Sequence, residues 1–166
     1  MLSQKYAILL VLPVLASCAQ DIPENPPLLG EWEQVRTLDS VTIDGVAYAS
    51  EDLPAEMRAF EGTERRCGEP VYTDANAQAE DVASRTGGYC ELSVYTHDTD
   101  SAEYSGRCEI SGTGGEYNPQ IRGRSTFTVD THRDVVTMEG TITLPDQSQH
   151  VLKMIAIQEG TRIGDC

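Results

Sequence analysis

Two short stretches of the chain concentrate side chains that could bind a metal ion. They contain the imidazole and carboxylate groups of His97, Asp98, Asp100, Asp130, His132 and Asp134. Alternate hairpin loops of an up-and-down sheet lie at the same end, so the two stretches could approach each other. Imidazole and carboxylate ligands suit divalent metals such as zinc or manganese. Aspartate and histidine also populate exposed turns, where they bond to nearby backbone groups, and we favour this simpler interpretation.

Cysteine offers a second kind of chemistry. After Cys18 the chain has four cysteines, Cys67, Cys90, Cys108 and Cys166, and an even number favours two disulfides in an exported protein. The count leaves three pairings open. In the hairpin register that keeps the apolar faces together, Cys90 lies opposite Cys108, within disulfide reach. We therefore expect the pairs Cys90–Cys108 and Cys67–Cys166.

The short motifs of common enzymes are absent from the sequence. Gly-x-Ser-x-Gly, His-Glu-x-x-His, a Walker A loop and a dinucleotide fingerprint do not occur. The glycine-rich segment 112–115 is not followed by a helix that could bind phosphate, so we interpret it as a loop. The sequence also lacks a Cys-x-x-Cys pair, the spacing that is typical of thiol–disulfide exchange. We expect no enzymatic activity, no catalytic residues and no cofactor.

The N-terminal segment has the layout of an export signal. Lys5 is followed by an apolar run from Ala7 to Val14. This run is shorter than the about 20 apolar residues that a membrane-spanning helix needs. We expect residues 1–17 to be removed.

The four residues Leu15-Ala16-Ser17-Cys18 resemble the lipobox of bacterial lipoproteins. In that class the thiol takes a diacylglyceryl group before cleavage, so the resemblance implies a lipidated Cys18 as the mature N-terminus. It also implies a membrane-anchored protein that faces the periplasm, and Ala19 in place of aspartate favours the outer membrane. Ordinary secretion, with cleavage ahead of Gln20, is the alternative.

Composition limits the partners of the chain. The sequence has 27 acidic and 12 basic residues, a net charge of −15 at pH 7. Such a charge repels phosphate backbones and anionic lipid, so we expect no nucleic-acid binding. The length fits one domain, 30–166, with a sizeable core. The proline-rich segment 18–29 has little to bury and is interpreted as a tether.

Alternating apolar residues predict antiparallel strands along most of the domain. Val35, Thr37, Val41 and Ile43 share one parity before an Asp44-Gly45 turn signal. In a later hairpin, Ser125, Phe127 and Val129 share one parity, residues 131–134 are predicted to turn, and Val136, Met138, Ile142 and Leu144 return. The segment 151–157 is apolar on both parities, which indicates a strand that is buried on both sides or central in the sheet.

Two segments have helical patterns. Asp52 could cap a short helix with Leu53, Met57 and Phe60 on one face, and residues 74–85 form a second candidate that ends at a glycine pair. The predicted fold is mainly β. It is a single antiparallel meander that forms a curved sheet or partly closed barrel, with one or two short helices.

One face of this sheet could hold a small apolar ligand. Its predicted lining is Leu92, Val94, Tyr104, Phe127, Met138 and Ile142, with Val94 opposite Tyr104. A partly open barrel can enclose such a ligand. A stripe of this kind is more often plain core, which we favour.

The placed strands and cysteines resemble an uncharacterised family of exported bacterial proteins, the domain-of-unknown-function family three-six-one-seven. The resemblance runs from Gly30 to the end of the chain. It is carried by Gly30-Glu31-Trp32-Glu33, Cys67 with Pro70, Cys90 and Cys108, Glu139-Gly140-Thr141, and Arg162-Ile163-Gly164-Asp165-Cys166. The Met- and Pro-rich stretch of the family after the first strand is missing, and the segment 74–85 is longer. The family has no assigned activity, so the resemblance implies an exported, disulfide-bonded domain.

These observations predict a membrane-anchored periplasmic lipoprotein whose domain is a non-enzymatic binding or accessory unit of the cell envelope. Its partners would be the membrane, through Cys18, and an envelope protein or a small apolar ligand. A hydrolase with an unrecognised site and a structural envelope component are the alternatives.

Overall fold

The computed structural model describes residues 27–53, 55–58, 60–68, 75–112 and 115–166, and its main element is one antiparallel sheet. The strands are β1 Gly30–Ile43, β2 Val46–Tyr48, β3 Gly62–Gly68, β4 Tyr89–His97, β5 Ser101–Gly112, β6 Gly115–Phe127, β7 Thr131–Thr143 and β8 Gln149–Gly164. Their order is β2-β1-β8-β7-β6-β5-β4, and β3 pairs with the first half of β1. The sheet is open, because β4 does not pair with the strands at the other edge. The prediction of a mainly β, antiparallel meander is confirmed.

Two helices and a 3-10 turn accompany the sheet. They are α1 Ala55–Arg58, α2 Ala75–Thr86 and the turn Ser50–Asp52. The predicted helix at 74–85 is thus confirmed, and it ends at Gly87, whose φ of 71° favours glycine. The predicted helix from Asp52 is broken, because Leu53 precedes a proline and takes an extended conformation with ψ of 150°. Within the described residues, none of the helices has the length and apolarity needed to cross a bilayer.

The helical segments cover the inner face of the sheet, the face that carries Tyr104, Ile121, Met138 and Leu152. The core cluster joins these four side chains to Val41, Leu53, Val82, Cys90, Cys108 and Tyr117. Val82 of α2 and Leu53 are only 5% and 4% exposed. Burying a side chain of this kind stabilises the fold by about 1.5 to 3 kcal/mol. The inner face is therefore a packed core.

Two β-bulges change which residues face the core. The register of β1 against β8 shifts between Leu38 and Ser40, and that of β4 against β5 shifts between Leu92 and Val94. An extra residue reverses the side-chain parity beyond it. As a result Val35, predicted to share the parity of Val41, is 41% exposed. The single parity predicted for β1 is wrong.

The second bulge corrects the predicted β4–β5 hairpin. Cys90 lies opposite Cys108, as predicted, but Tyr95 takes the place opposite Tyr104. Val94 pairs with Ser105 and is 53% exposed. Its predicted place on the inner face is therefore wrong.

The turn between β6 and β7 lies three residues earlier than predicted. Strand β6 ends at Phe127, β7 begins at Thr131, and Phe127 faces His132 across the hairpin. Thr128 Oγ1 stabilises the turn, since it accepts hydrogen bonds from the backbone N–H groups of Asp130 and Thr131 at 3.3 and 3.1 Å. The predicted turn at 131–134 is strand, which places its histidine and aspartate on the inner face.

Strand β8 occupies the centre of the sheet, between β1 and β7, as the apolar segment 151–157 predicts. Its two faces differ. Leu152 and Ala156 are buried on the inner face, whereas Val151 on the other face is 51% exposed. The predicted loop 112–115 joins β5 to β6, and residues 113 and 114 lie outside the described residues.

The chain enters the sheet at the end where the β6–β7 turn lies. Pro27 is fully buried, and the N–H of Leu28 donates to the carbonyl oxygen of Val129 at 3.0 Å. Trp32 Nε1 donates to the carbonyl oxygen of Leu28 at 3.1 Å. The segment 18–29 is predicted to be a tether, but its last three residues, 27–29, dock on the domain. Its earlier part and the signal segment lie outside the described residues.

The disulfide Cys90–Cys108 is present, as predicted, and joins paired positions of β4 and β5. Cys67 and Cys166 carry free, exposed thiols. The two thiols are hydrogen-bonded neighbours. This hydrogen bond raises the pKa of the Cys67 thiol. The second predicted disulfide is not formed, although its two sulfurs lie side by side.

We expect the Cys90–Cys108 disulfide to stabilise the domain by about 3 kcal/mol, because it closes a loop of 18 residues in the unfolded chain. The measurement is urea unfolding of the double variant Cys90→Ala/Cys108→Ala, with Cys67 and Cys166 replaced by serine in both proteins. Dithiothreitol should destabilise the parent and leave the double variant unchanged. A parent that is indifferent to dithiothreitol would contradict the prediction.

We also expect Cys67 and Cys166 to form a disulfide in protein from an oxidising compartment. A non-reducing peptide map should link the two cysteines. Because the pKa of Cys67 is raised, the reactive thiolate is scarce at neutral pH, and oxidation of the reduced protein should accelerate as the pH rises. A peptide that links Cys67 to Cys90 would contradict the prediction.

Candidate functional site

The inner face becomes polar towards the β6–β7 turn. The buried polar side chains at this end are Gln34, Ser125, His132, Asp134 and Gln158, each at most 5% exposed. Asp134 faces Ser125 on one side and Gln158 on the other, so the three lie in one row across β6, β7 and β8. This polar layer is the main concentration of chemically capable groups inside the fold.

Hydrogen bonds within the polar layer converge on the carboxylate of Asp134. Ser125 Oγ donates to Oδ1 at 2.9 Å, and the hydroxyl of Tyr104 donates to Oδ2 at 3.1 Å. Nearby, Gln158 Nε2 donates to Gln34 Oε1 at 2.8 Å. Bonds to a buried carboxylate are stronger than neutral ones, and they offset part of the desolvation of the charge.

Two glycines make room for the rings in this layer. A Cβ atom at Gly160 would lie 2.1 Å from Nε2 of His132, and one at Gly123 would lie 2.0 Å from the ring of Tyr104. The other side of the His132 ring packs against Trp32, with ring centroids 5.6 Å apart. The sheet backbone therefore fixes the position of both rings.

The polar layer has the residue types of a hydrolytic triad but a different arrangement. In acyl transfer a serine gives its proton to a histidine. Here the hydroxyl of Ser125 donates to the carboxylate of Asp134 instead. The cavity beside Asp134, between Phe60, Val82 and β7–β8, has a volume of about 30 Å³, which suits water rather than a substrate. The geometry supports a structural role for the layer.

The six predicted metal ligands lie in three different environments. The β4–β5 and β6–β7 turns do lie side by side, since the N–H of Phe127 donates to the carbonyl oxygen of Asp100 at 2.9 Å. Asp98, Asp100 and Asp130 are exposed at the turns, His132 and Asp134 are buried in β7, and His97 stacks on Phe127. Over the described part of the chain, no three histidine, cysteine or acidic side chains assemble into a metal site.

The predicted apolar ligand face is largely core. Tyr104, Phe127 and Met138 are buried, and Leu92 and Ile142 pack against the core cluster. Only Val94 points to the outer face, because of the β-bulge between Leu92 and Val94. Of the predicted covalent sites, Cys18 lies outside the described residues.

The outer face, opposite the core, is crossed by ion pairs between directly facing residues of neighbouring strands. They are Arg65–Glu33, Arg107–Glu91, Arg124–Glu103, Arg133–Glu159 and Lys153–Glu139, at 2.8 to 3.5 Å. Exposed pairs of this kind contribute about 0 to 1 kcal/mol each. Arg122 differs, because it faces the neutral Ser105 and Thr137.

A groove of about 450 Å³ lies on this face, and we call it the arginine groove. It is lined by Arg122, Arg124, Thr126, Arg133, Val135 and Thr137. None of the sites predicted from the sequence includes these arginines. The alternation Arg122-x-Arg124 signals that both arginines share a face, but the position of Arg133 beside them depends on the β6–β7 register.

A second groove of about 530 Å³ continues towards the turns, and we call it the hydroxyl groove. The hydroxyl-bearing residues in its lining are Ser101, Thr126, Thr128, Thr131 and Thr161. It shares Arg124, Thr126 and Arg133 with the arginine groove. The two grooves thus form one open surface along β6 and β7, and this surface is the candidate functional site.

Replacement of Gly160 by alanine should destabilise the domain by about 1 to 3 kcal/mol, because the new methyl group would overlap the ring of His132. Gly164→Ala is the matched control. It lies on the same strand and has no atom within 4 Å of an added Cβ. Thermal unfolding of both variants is the measurement, and equal melting temperatures would contradict the packing described for His132.

Comparisons with known proteins assign no function to the site. No protein-family model, curated protein or solved structure matches the chain. The resemblance to the uncharacterised family of exported proteins stays a prediction.

Proposed function

We propose that this chain is a lipid-anchored protein of the bacterial envelope whose β domain binds a ligand or partner without catalysing a reaction. Cys18 would carry the lipid, and the domain would face the periplasm, with attachment to the outer membrane. The observation that carries the binding role is the contrast between the two faces of the sheet.

Within the described residues, core side chains fill the inner face. The cavity beside Asp134, at about 30 Å³, is far below the about 300 Å³ of a small-molecule site. The serine, histidine and aspartate beside it are buried, and Asp134 already accepts two hydrogen bonds. The outer face, in contrast, presents two open grooves whose polar groups are accessible.

Two features support an exported, anchored domain. They are the disulfide and the place where the N-terminal segment docks on the sheet. Disulfides such as Cys90–Cys108 form and persist mainly in oxidising compartments, which supports export. The chain docks at the β6–β7 turn through Pro27 and Leu28. Nine residue steps separate Pro27 from Cys18, and at full extension they reach about 30 Å. A lipid on Cys18 would keep the grooved end of the domain near the membrane.

We expect the chain to incorporate palmitate at Cys18 when it is produced in a Gram-negative host. Labelled wild-type protein should fractionate with the membrane. Cys18→Ser should be unlabelled and keep residues 1–17, because lipidation precedes cleavage in lipoproteins. Cys166→Ser, which leaves the lipobox intact, should be labelled like the wild type.

Fluorography and mass spectrometry of the N-terminal peptide measure these outcomes. A lipid-free peptide that begins at Gln20 would contradict the proposed anchor and favour secretion.

A further inference from the structure

We propose that the arginine groove binds the phosphate group of a phosphorylated carbohydrate, whose sugar lies in the hydroxyl groove. This inference rests on the proposed binding function and gives it a ligand class.

Arg122 provides a positive charge with no directly facing carboxylate, in an acidic protein. Its guanidinium lies on the outer face between Ser105 and Thr137, and it forms no ion pair with the residues that the structure describes. Across the same face, the other cross-strand cations are each paired with a glutamate. A charge without a partner is available to an anion.

Arg124 and Arg133 line the same groove as Arg122. Arg124 is two residues from Arg122 on β6, and Arg133 on β7 is a diagonal neighbour of Arg124. Their ion pairs, at 3.5 and 3.1 Å, are exposed and therefore weak. A ligand phosphate can compete with the two glutamates for them.

The geometry favours phosphate over carboxylate. A guanidinium binds two oxygens of an anion at once. A carboxylate has only two oxygens, whereas a phosphate monoester has three terminal oxygens that three arginines can share. Thr126 and Thr137 line the same groove and add hydroxyl donors.

The continuation of the site favours a sugar. The hydroxyl groove begins at Arg124, Thr126 and Arg133, so a group bonded to the phosphate would enter it. Hydroxyl side chains, with the carboxylates of Asp100 and Glu159, can donate to and accept from sugar hydroxyls. Its volume of about 530 Å³ is open to solvent, so a bound sugar would remain partly exposed.

The acidic charge of the chain selects an isolated phosphate rather than a lipid surface. Asp98, Asp100 and Asp130 are exposed on the turns at this end of the sheet, so they would meet an extended anionic surface first. Charges further from the groove are screened over about 8 Å at physiological ionic strength. A single phosphate can therefore bind the arginines without contacting the acidic turns.

The test is a calorimetric titration of the full mature chain in neutral detergent, with glucose 1-phosphate as the probe. We expect saturable binding that weakens as salt is added. Arg122→Gln should weaken it about tenfold or more, because charge-assisted hydrogen bonds are lost. Arg107→Gln is the matched control, since Arg107 is an exposed outer-face arginine outside both grooves, and it should bind like the wild type.

Glucose and inorganic phosphate are titrated separately, and each should bind more weakly than glucose 1-phosphate. Inorganic phosphate that binds equally well would overturn the carbohydrate part of the proposal. No binding up to 10 mM, or equal loss in both arginine variants, would overturn all of it. Preference for vesicles with anionic phospholipid over glucose 1-phosphate would assign the site to a lipid surface instead. Palmitate labelling at Cys18 is independent of these results, so the anchor can hold while this proposal fails.

Discussion

The alternation of side chains along β6 and β7 determines both the buried polar layer and the exposed arginine groove. Because side chains alternate along a strand, the register that buries Ser125 opposite Asp134 also turns Arg122, Arg124 and Arg133 outward. A shift by one residue would expose a carboxylate that accepts two hydrogen bonds and would bury three guanidinium groups. The polar layer inside the fold thus specifies the binding surface outside it.

The candidate binding surface and the point where the chain enters the sheet lie at the same end of the sheet. Backbone hydrogen bonds join Leu28 to the β6–β7 turn, and that turn to the β4–β5 turn. The grooves lie beside both turns on the outer face. In the proposed arrangement, an anchored domain would present its site close to the membrane. The turn aspartates would keep that site clear of anionic headgroups.

Alternation in the sequence predicts most of the sheet, one helix and the Cys90–Cys108 disulfide. It could not predict the bulges near Leu38 and Leu92, because Val35 and Val94 are apolar although they are exposed, and so they conceal the change of parity at each bulge. Residues 131–134 have turn-like composition, yet Asp134 is stabilised inside β7 by partners that only the folded sheet supplies. The arginine groove was missed for a similar reason. Arginines two apart are ordinary on an exposed strand, and only the register adds Arg133 to them.

In the proposed arrangement, ligands bind the outer face while the described inner face stays packed. Amide NMR spectra of the mature chain, recorded during addition of glucose 1-phosphate, distinguish the two faces. We expect progressive shifts for Arg122, Arg124 and Arg133 and nearly constant resonances for the core residues Val82 and Leu152. Shifts centred on the small cavity beside Asp134 would instead assign the ligand to the inner face.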